Sequence, residues 1–249
     1  NIGFAMHYAT AVDCEAMARS IQKMGARHPG LRTAYLVENG EPYQTPQTQP
    51  VAFDTVAAHD WSQERLEEEL EAFKAQPFEL ENGRVFRSRL YIQSPEQSIL
   101  QVVFHHIASD GWSIWMFVDD LRAFYAAEAS DARPPRPLRS DYADFVNWQH
   151  ELLGSDTGDA ARAFWQEKLA GNPNPQTFPK DSHTSSSDDF GMGRVSFPID
   201  ESLTHSLRHL ASEQDVTLYT VLLSALYTLL YRYTNHEDLI VATTVSGRS

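Results

Sequence analysis

Residues 98–113, Ser-Ile-Leu-Gln-Val-Val-Phe-His-His-Ile-Ala-Ser-Asp-Gly-Trp-Ser, constrain this chain more than any other stretch. Ile99, Leu100, Val102, Val103 and Phe104 form an apolar, β-branched-rich run of the kind that makes a strand buried on both faces. From Ser113 the period changes. Ile114, Phe117, Val118, Leu121, Phe124 and Tyr125 recur at helical spacing, which predicts an amphipathic helix to about Ser130. Between the two lies His105-His106-x-x-x-Asp110-Gly111. A strand end followed by a glycine-containing turn holds side chains rigidly while letting them face a cleft.

Adjacent side chains of a regular strand point to opposite faces. His105 then lines up with Ile99 and Val103, and His106 with Leu100, Val102 and Phe104. The two cannot chelate one metal from such positions; one is structural and the other working, and periodicity leaves open which. Each residue also has a plain explanation. A strand-end histidine commonly packs and hydrogen-bonds, Asp110 sits where a helix N-cap belongs, and Gly111 can serve the turn alone. The combination of the three is harder to explain by packing.

Along the chain, Asp13 is placed to cap a helix with Met17, Ala18, Ile21 and Met24 on one face, ending near Arg27-His28-Pro29. Strands are expected at about Leu31–Glu38, Val51–Val56 and Arg84–Ile92, with Asn39-Gly40 turning the first into a short hairpin. Ser62 caps a helix whose five glutamates, Glu64, Glu67, Glu68, Glu69 and Glu71, read as a solvated face. The turn Ser94–Gln97 makes the strand before it an antiparallel neighbour of the central one. Further helices are expected at Asp141–Leu153, Asp159–Leu169, Glu201–Gln214 and Thr217–Tyr233, and strands at Arg194–Ile199 and Leu239–Val245. Proline and polar residues make 171–190 the expected linker between a first lobe, 1–170, and a second, 191–249. Mixed strands and helices indicate an α/β sandwich of helices on a sheet.

Composition excludes several classes. The 249 residues hold 34 acidic against 20 basic groups, a net charge of −14. No basic stripe suggests nucleic acid. The single cysteine, Cys14, permits no internal disulfide and fits a reducing compartment, the cytoplasm. The most apolar stretch, Val216–Tyr231, is short and carries Thr, Ser and Tyr, so no membrane association is expected. The other histidines are scattered without ligand spacing, and no metal is expected. His205 and His209, at i and i+4, could chelate, but no third ligand is evident and a solvated helical face is the simpler reading. The chain begins at Asn1 without an initiating Met, as a segment of something longer would.

The stretch His105–Ser113 resembles the His-His-x-x-x-Asp-Gly-Trp-Ser signature of condensation domains of nonribosomal peptide synthetases. Arg27-His28-Pro29-Gly30-Leu31-Arg32-Thr33-Ala34-Tyr35 resembles that family's Arg-His-x-x-Leu-Arg-Thr block. Asp141-Tyr142-Ala143-Asp144-Phe145-Val146-Asn147-Trp148-Gln149 is similar to its Tyr-x-Asp-(Tyr/Phe)-x-x-Trp-Gln block. The resemblance implies a chloramphenicol-acetyltransferase-like two-layer α/β sandwich with a mixed sheet. It further implies a nearly complete N-terminal lobe and the start of a C-terminal one, the active site lying in a tunnel between lobes.

The reaction implied is amide bond formation. The amine of a downstream aminoacyl thioester attacks an upstream acyl or peptidyl thioester, both carried on the phosphopantetheine arms of peptidyl carrier proteins beside an adenylation domain; no tightly bound cofactor is implied. Orientation of two reactants can supply roughly 7–11 kcal/mol, and a positioned base about 10²–10⁴-fold. His106 is then the catalytic group, as base or amine-positioning residue. Gly111 offers a backbone N–H to the oxyanion or keeps the channel open. His105 is a packed support, and Asp110 pairs with Arg248. An epimerisation domain shares the histidine motif but is usually followed by Val-Ser-Trp-Arg rather than Trp112-Ser113-Ile114-Trp115, and heterocyclisation domains replace the histidines. A free-standing acyltransferase of the same superfamily and a non-catalytic platform for carrier docking are the remaining alternatives.

Overall fold

The computed structural model describes residues 1–130, 132–171 and 195–245. The described residues fall into two compact units, one running to Leu152 and the other starting at Leu153.

The first unit is built on a four-stranded mixed sheet of order β1-β6-β5-β4. Its strands are β1 (Ile2–Tyr8), β4 (Ala52–Ala57), β5 (Phe86–Ser94) and β6 (Gln97–Phe104). β5 and β6 pair antiparallel through the two-residue turn Pro95-Glu96, with Leu90 opposite Leu100 and Phe86 opposite Phe104. β1 pairs antiparallel with the other side of β6, and β4 pairs parallel with β5. β6 is therefore flanked on both sides, and every residue from Ser98 to Phe104 is buried. β2 (Thr33–Glu38) and β3 (Glu41–Pro46) form a separate hairpin. Its turn, Asn39-Gly40, takes φ of +53° and +85°, the doubly positive geometry that Asn-Gly favours.

The period-2 alternation sorts the side chains of β6 to two different layers. Leu100, Val102 and Phe104 join Phe86 and Leu90 against Met17, Ile21 and Met24 of α1 (Cys14–Arg27) and Phe117, Leu121 and Phe124 of α3 (Gly111–Ala129). Within this layer the rings of Phe86, Phe104 and Phe117 lie 5.2–5.6 Å apart. Each such buried side chain contributes on the order of 1.5–3 kcal/mol. Ile99 and Tyr91 face the other way, onto Leu66 of α2 (Gln63–Ala75). On that side Gln101 accepts from the Tyr91 hydroxyl (3.1 Å) and donates to the Leu70 carbonyl (2.7 Å), so a polar group on a buried strand is satisfied.

α1 and α3 are joined along their outer sides by ionic contacts. Glu128 accepts from Arg19 Nε (2.6 Å) and from the Lys23 ammonium, and Asp120 accepts from Arg27 Nε at 2.7 Å. Both helices begin at aspartate caps, Asp13 accepting from the Ala16 amide and Asp110 from the Ser113 amide. α4 (Tyr142–Leu153) starts at a reciprocal cap. Asp141 accepts from the Asp144 amide, and the Asp144 carboxylate accepts from the Asp141 amide.

The second unit contains α5 (Asp156–Lys168), α6 (Glu201–Glu213) and α7 (Leu218–Thr234). α6 is capped by Asp200 and α7 by Thr217; α7 ends at Asn235 with φ +54°. The Tyr219 hydroxyl donates to Thr243 Oγ1 (2.7 Å).

The structure corrects the expected strand pattern at four places. β1 is a strand that the pattern reading omitted. The segment Pro29–Arg32 is a 3-10 turn, so the strand expected from Leu31 begins at Thr33. Residues 195–199 and 239–245 have no ladder partner among the described residues and are not strands, although both sequences are rich in strand-forming side chains. Backbone pairing makes a strand, and a local pattern supplies only half of it. The remainder of the expected linker at 172–190, and Arg194, lie outside the described residues.

Candidate active site

The strand β6 ends one residue before the histidine pair. His105 keeps the last ladder bond, its amide donating to the Val85 carbonyl at 2.8 Å. Residues 106–108 then form a turn closed by the Ala108 amide on the His105 carbonyl (3.0 Å). His106 thus leaves the pleat, and strand alternation does not govern it. It is exposed at the end of a buried strand, whereas His105 is half-buried.

His105 holds the turn that carries His106. Its Nδ1 accepts from the Ile107 amide at 3.1 Å, which puts the ring proton on Nε2. The edge of its ring meets Phe78, centroids 6.0 Å apart. Burial, and then His106, push its pKa below the ordinary histidine value. A neutral imidazole is what the Nδ1 contact requires, so the electrostatics and the hydrogen bond agree.

Asp110 ends the turn and starts α3. One oxygen, Oδ1, accepts from the Ser113 amide (2.8 Å) and from the Ser113 hydroxyl (2.6 Å). The carboxylate at the positive end of a 19-residue helix is favourably placed as well as hydrogen-bonded. Gly111 is exposed, and a Cβ built on it would meet nothing within 4 Å. Open space therefore adjoins the first amides of α3. Ile107, Trp112, Trp115 and Met116 expose large apolar surface around this point, Trp115 at 72 %. Arg248 lies outside the described residues.

The three motifs meet here. Tyr35, from the first, reaches the Ile107 carbonyl with its hydroxyl at 3.4 Å. Burial, then the neighbouring Tyr142 of the third motif, raises the Tyr35 pKa. On α4, Tyr142, Phe145 and Trp148 form a run of rings with centroids 5.8 and 5.6 Å apart, at the three-residue spacing that puts them on one helix face. Sequence reasoning did not anticipate Phe78, Val85 or Asp120 as supports. Phe78 and Val85 touch His105 from other parts of the chain, Asp120 holds Arg27 and His28 of the first motif, and none of the three carries a local signal. A cleft of about 940 Å³ between Leu31, Val51, Gly83 and Phe86 does not include His106 or Gly111. Among the described residues no three His, Cys, Asp or Glu side chains gather into a metal site, and no helix is long and apolar enough to cross a membrane.

A mixed sheet with helices on it, and a His-His turn running into a capped helix, define an α/β fold of the chloramphenicol-acetyltransferase-like kind. The family described as Condensation domain matches residues 1–249, and the chain belongs to that family. Tyrocidine synthase 3 of Brevibacillus parabrevis is 33% identical over 241 residues, covering 96% of this chain and 4% of that protein. Chondramide synthase cmdD of Chondromyces crocatus is 31% identical over 262 residues, covering 100% of this chain and 7% of that protein. Among solved structures, the first condensation domain of the calcium-dependent antibiotic synthetase superposes with a TM-score of 0.74 at 20% identity, over 99% of this chain and 59% of that one. The chain therefore spans less than a tenth of the synthetases it resembles.

Proposed function

We propose that this chain is part of a condensation domain that joins an upstream acyl or peptidyl thioester to the amine of a downstream aminoacyl thioester. In this reading residues 1–170 are the first lobe, 171–190 the connection, and 191–249 the beginning of the second lobe. The observation that carries it is the turn at 105–111, which presents an exposed His106 from a rigid buried strand beside open space at Gly111.

The thioester is already activated, so the protein's task is to bring amine and carbonyl together. His106 accepts a proton or a hydrogen bond from the attacking amine, which strengthens the nucleophile as the C–N bond forms. The carbonyl oxygen gathers charge near the amides that open α3, and Gly111 is the position where a backbone N–H can be approached without a side chain in the way. The thiolate of the upstream arm leaves. His105 and Asp110 do not touch substrate. They fix the turn and the helix start between which the reaction occurs, and Asp110 also pairs with Arg248.

Both substrates arrive on phosphopantetheine arms of carrier proteins, supplied by an adenylation domain of the same synthetase, in the cytoplasm. The family membership and the synthetase relatives support these partners. The test is a condensation assay on the complete domain with both carriers loaded, product followed by mass spectrometry. His106→Ala is expected to lower the rate by about 10²–10⁴-fold with the fold intact. Near wild-type turnover in that variant would remove His106 from the mechanism.

A further inference from the structure

The solvent side of α6 carries a stripe that the condensation reading does not use. His205, His209 and Glu213 succeed one another at intervals of four residues. Each step of four advances about 40° around an α-helix, so the three lie on one face. The apolar positions Leu203, Leu207, Leu210 and Ala211 occupy the opposite side. His205 and His209 are both exposed.

Glu213 is already engaged with the second histidine. Its Oε2 lies 3.4 Å from His209 Nδ1, the two side chains being 59% and 64% exposed. A carboxylate can only accept, so its place beside Nδ1 favours the tautomer protonated there, which leaves the Nε2 lone pair for another ligand. Carboxylate behind imidazole is the arrangement that fixes the tautomer and orientation of metal-binding histidines. One turn earlier, the His205 ring starts from a Cβ about 5–6 Å away, a separation that one cation can bridge.

We infer that His205 and His209 form a two-imidazole chelate for a borderline divalent cation, with Glu213 orienting His209. Imidazole nitrogen selects copper, nickel or zinc over calcium and magnesium, which require oxygen ligands. Affinity follows the usual order, copper highest. The remaining coordination positions belong to water, since no third protein ligand is assembled there among the described residues. A net charge of −14 favours any cation at the surface. The chelate ties two turns of α6 together and is independent of the condensation reaction.

The experiment is a calorimetric titration of the untagged full-length protein with copper chloride alone, repeated on His205→Ala, His209→Ala and Glu213→Gln. Retention on an immobilised nickel column provides a second reading. Wild type is expected to bind one copper that either histidine variant loses or binds at least about tenfold more weakly, and Glu213→Gln to weaken it by roughly 10-fold or more. Both histidine variants should elute earlier from nickel. Copper titrations of His205→Ala and His209→Ala that match wild type would overturn the site. An unchanged Glu213→Gln titration would overturn the role given to Glu213.

Discussion

His28 donates its Nε2 proton to Asp120 Oδ2 across 2.8 Å, joining the first motif to the helix that starts at the active-site turn. The same carboxylate oxygen takes Arg27 Nε, so two consecutive residues of one motif converge on α3. Burial holds the His28 pKa below its ordinary value despite the aspartate. The unfolded chain then binds more protons than the folded one between the folded pKa and about 6.5. Stability at this residue is fully present above that value and declines as pH falls through the window. The melting temperature of wild type should drop on acidification, and His28→Gln should show a shallower drop from a lower starting point. Parallel pH profiles for the two proteins would sink this assignment.

Gly25 sits inside α1, where alanine is ordinarily better by about 1 kcal/mol. Here a Cβ would lie 2.6 Å from Val51 Cγ1. Gly25→Ala should therefore destabilise by roughly 1–3 kcal/mol, and Val51→Ala in the same chain should recover part of that. Urea unfolding of the single and double variants decides it; a stabilised Gly25→Ala would show that the helix shifts freely.

Asp110 is proposed to act both as a cap and as the partner of Arg248, and two substitutions separate the roles. Asp110→Asn keeps an oxygen for the Ser113 amide but loses the charge; if the pair is buried this costs about 3–5 kcal/mol. Asp110→Ala also loses the cap, a further cost of about 0.5–2 kcal/mol. Thermal melts of the complete domain report both, and an Asn variant as stable as wild type removes the ion pair.

At Gly111 stability and activity should part. With nothing in the way of a Cβ, Gly111→Ala is expected to leave the melting temperature unchanged or to stabilise by about 0.4–1 kcal/mol. Condensation should nevertheless fall, because the methyl group enters the space beside the first amides of α3. Full activity in Gly111→Ala would mean that substrate does not approach there.

Much of this was legible in the residues themselves. Asp13, Ser62 and Asp110 announced their helices, because a cap is a contact three residues long. Asn39-Gly40 announced its turn because few other pairs tolerate two positive φ angles. Ile2–Tyr8 did not declare itself: its alternation is weakened by Gly3 and Ala5, and its partner lies about a hundred residues away at Ser98–Phe104. Val195, Phe197 and Ile199 alternate better than β1 does, yet are exposed with no ladder partner among the described residues. At the site, the histidine motif was visible, but the supports were not. Phe78 and Val85 reach His105 only after the sheet has formed, and nothing near Asp120 foretells Arg27 and His28.

The position of β1 bears on how the chain folds and how it fails. β5 and β6 are joined by a two-residue turn and can zip quickly, whereas β1 must return across the whole intervening chain to reach β6, a closure that comes slowly. Until it does, β6, buried from Ser98 to Phe104, presents an unpaired edge. A polypeptide shortened to begin at Thr10 would carry that edge permanently and would be expected to recruit strands from other copies. The first eight residues thus act as a guard against aggregation for the strand that ends at the histidines.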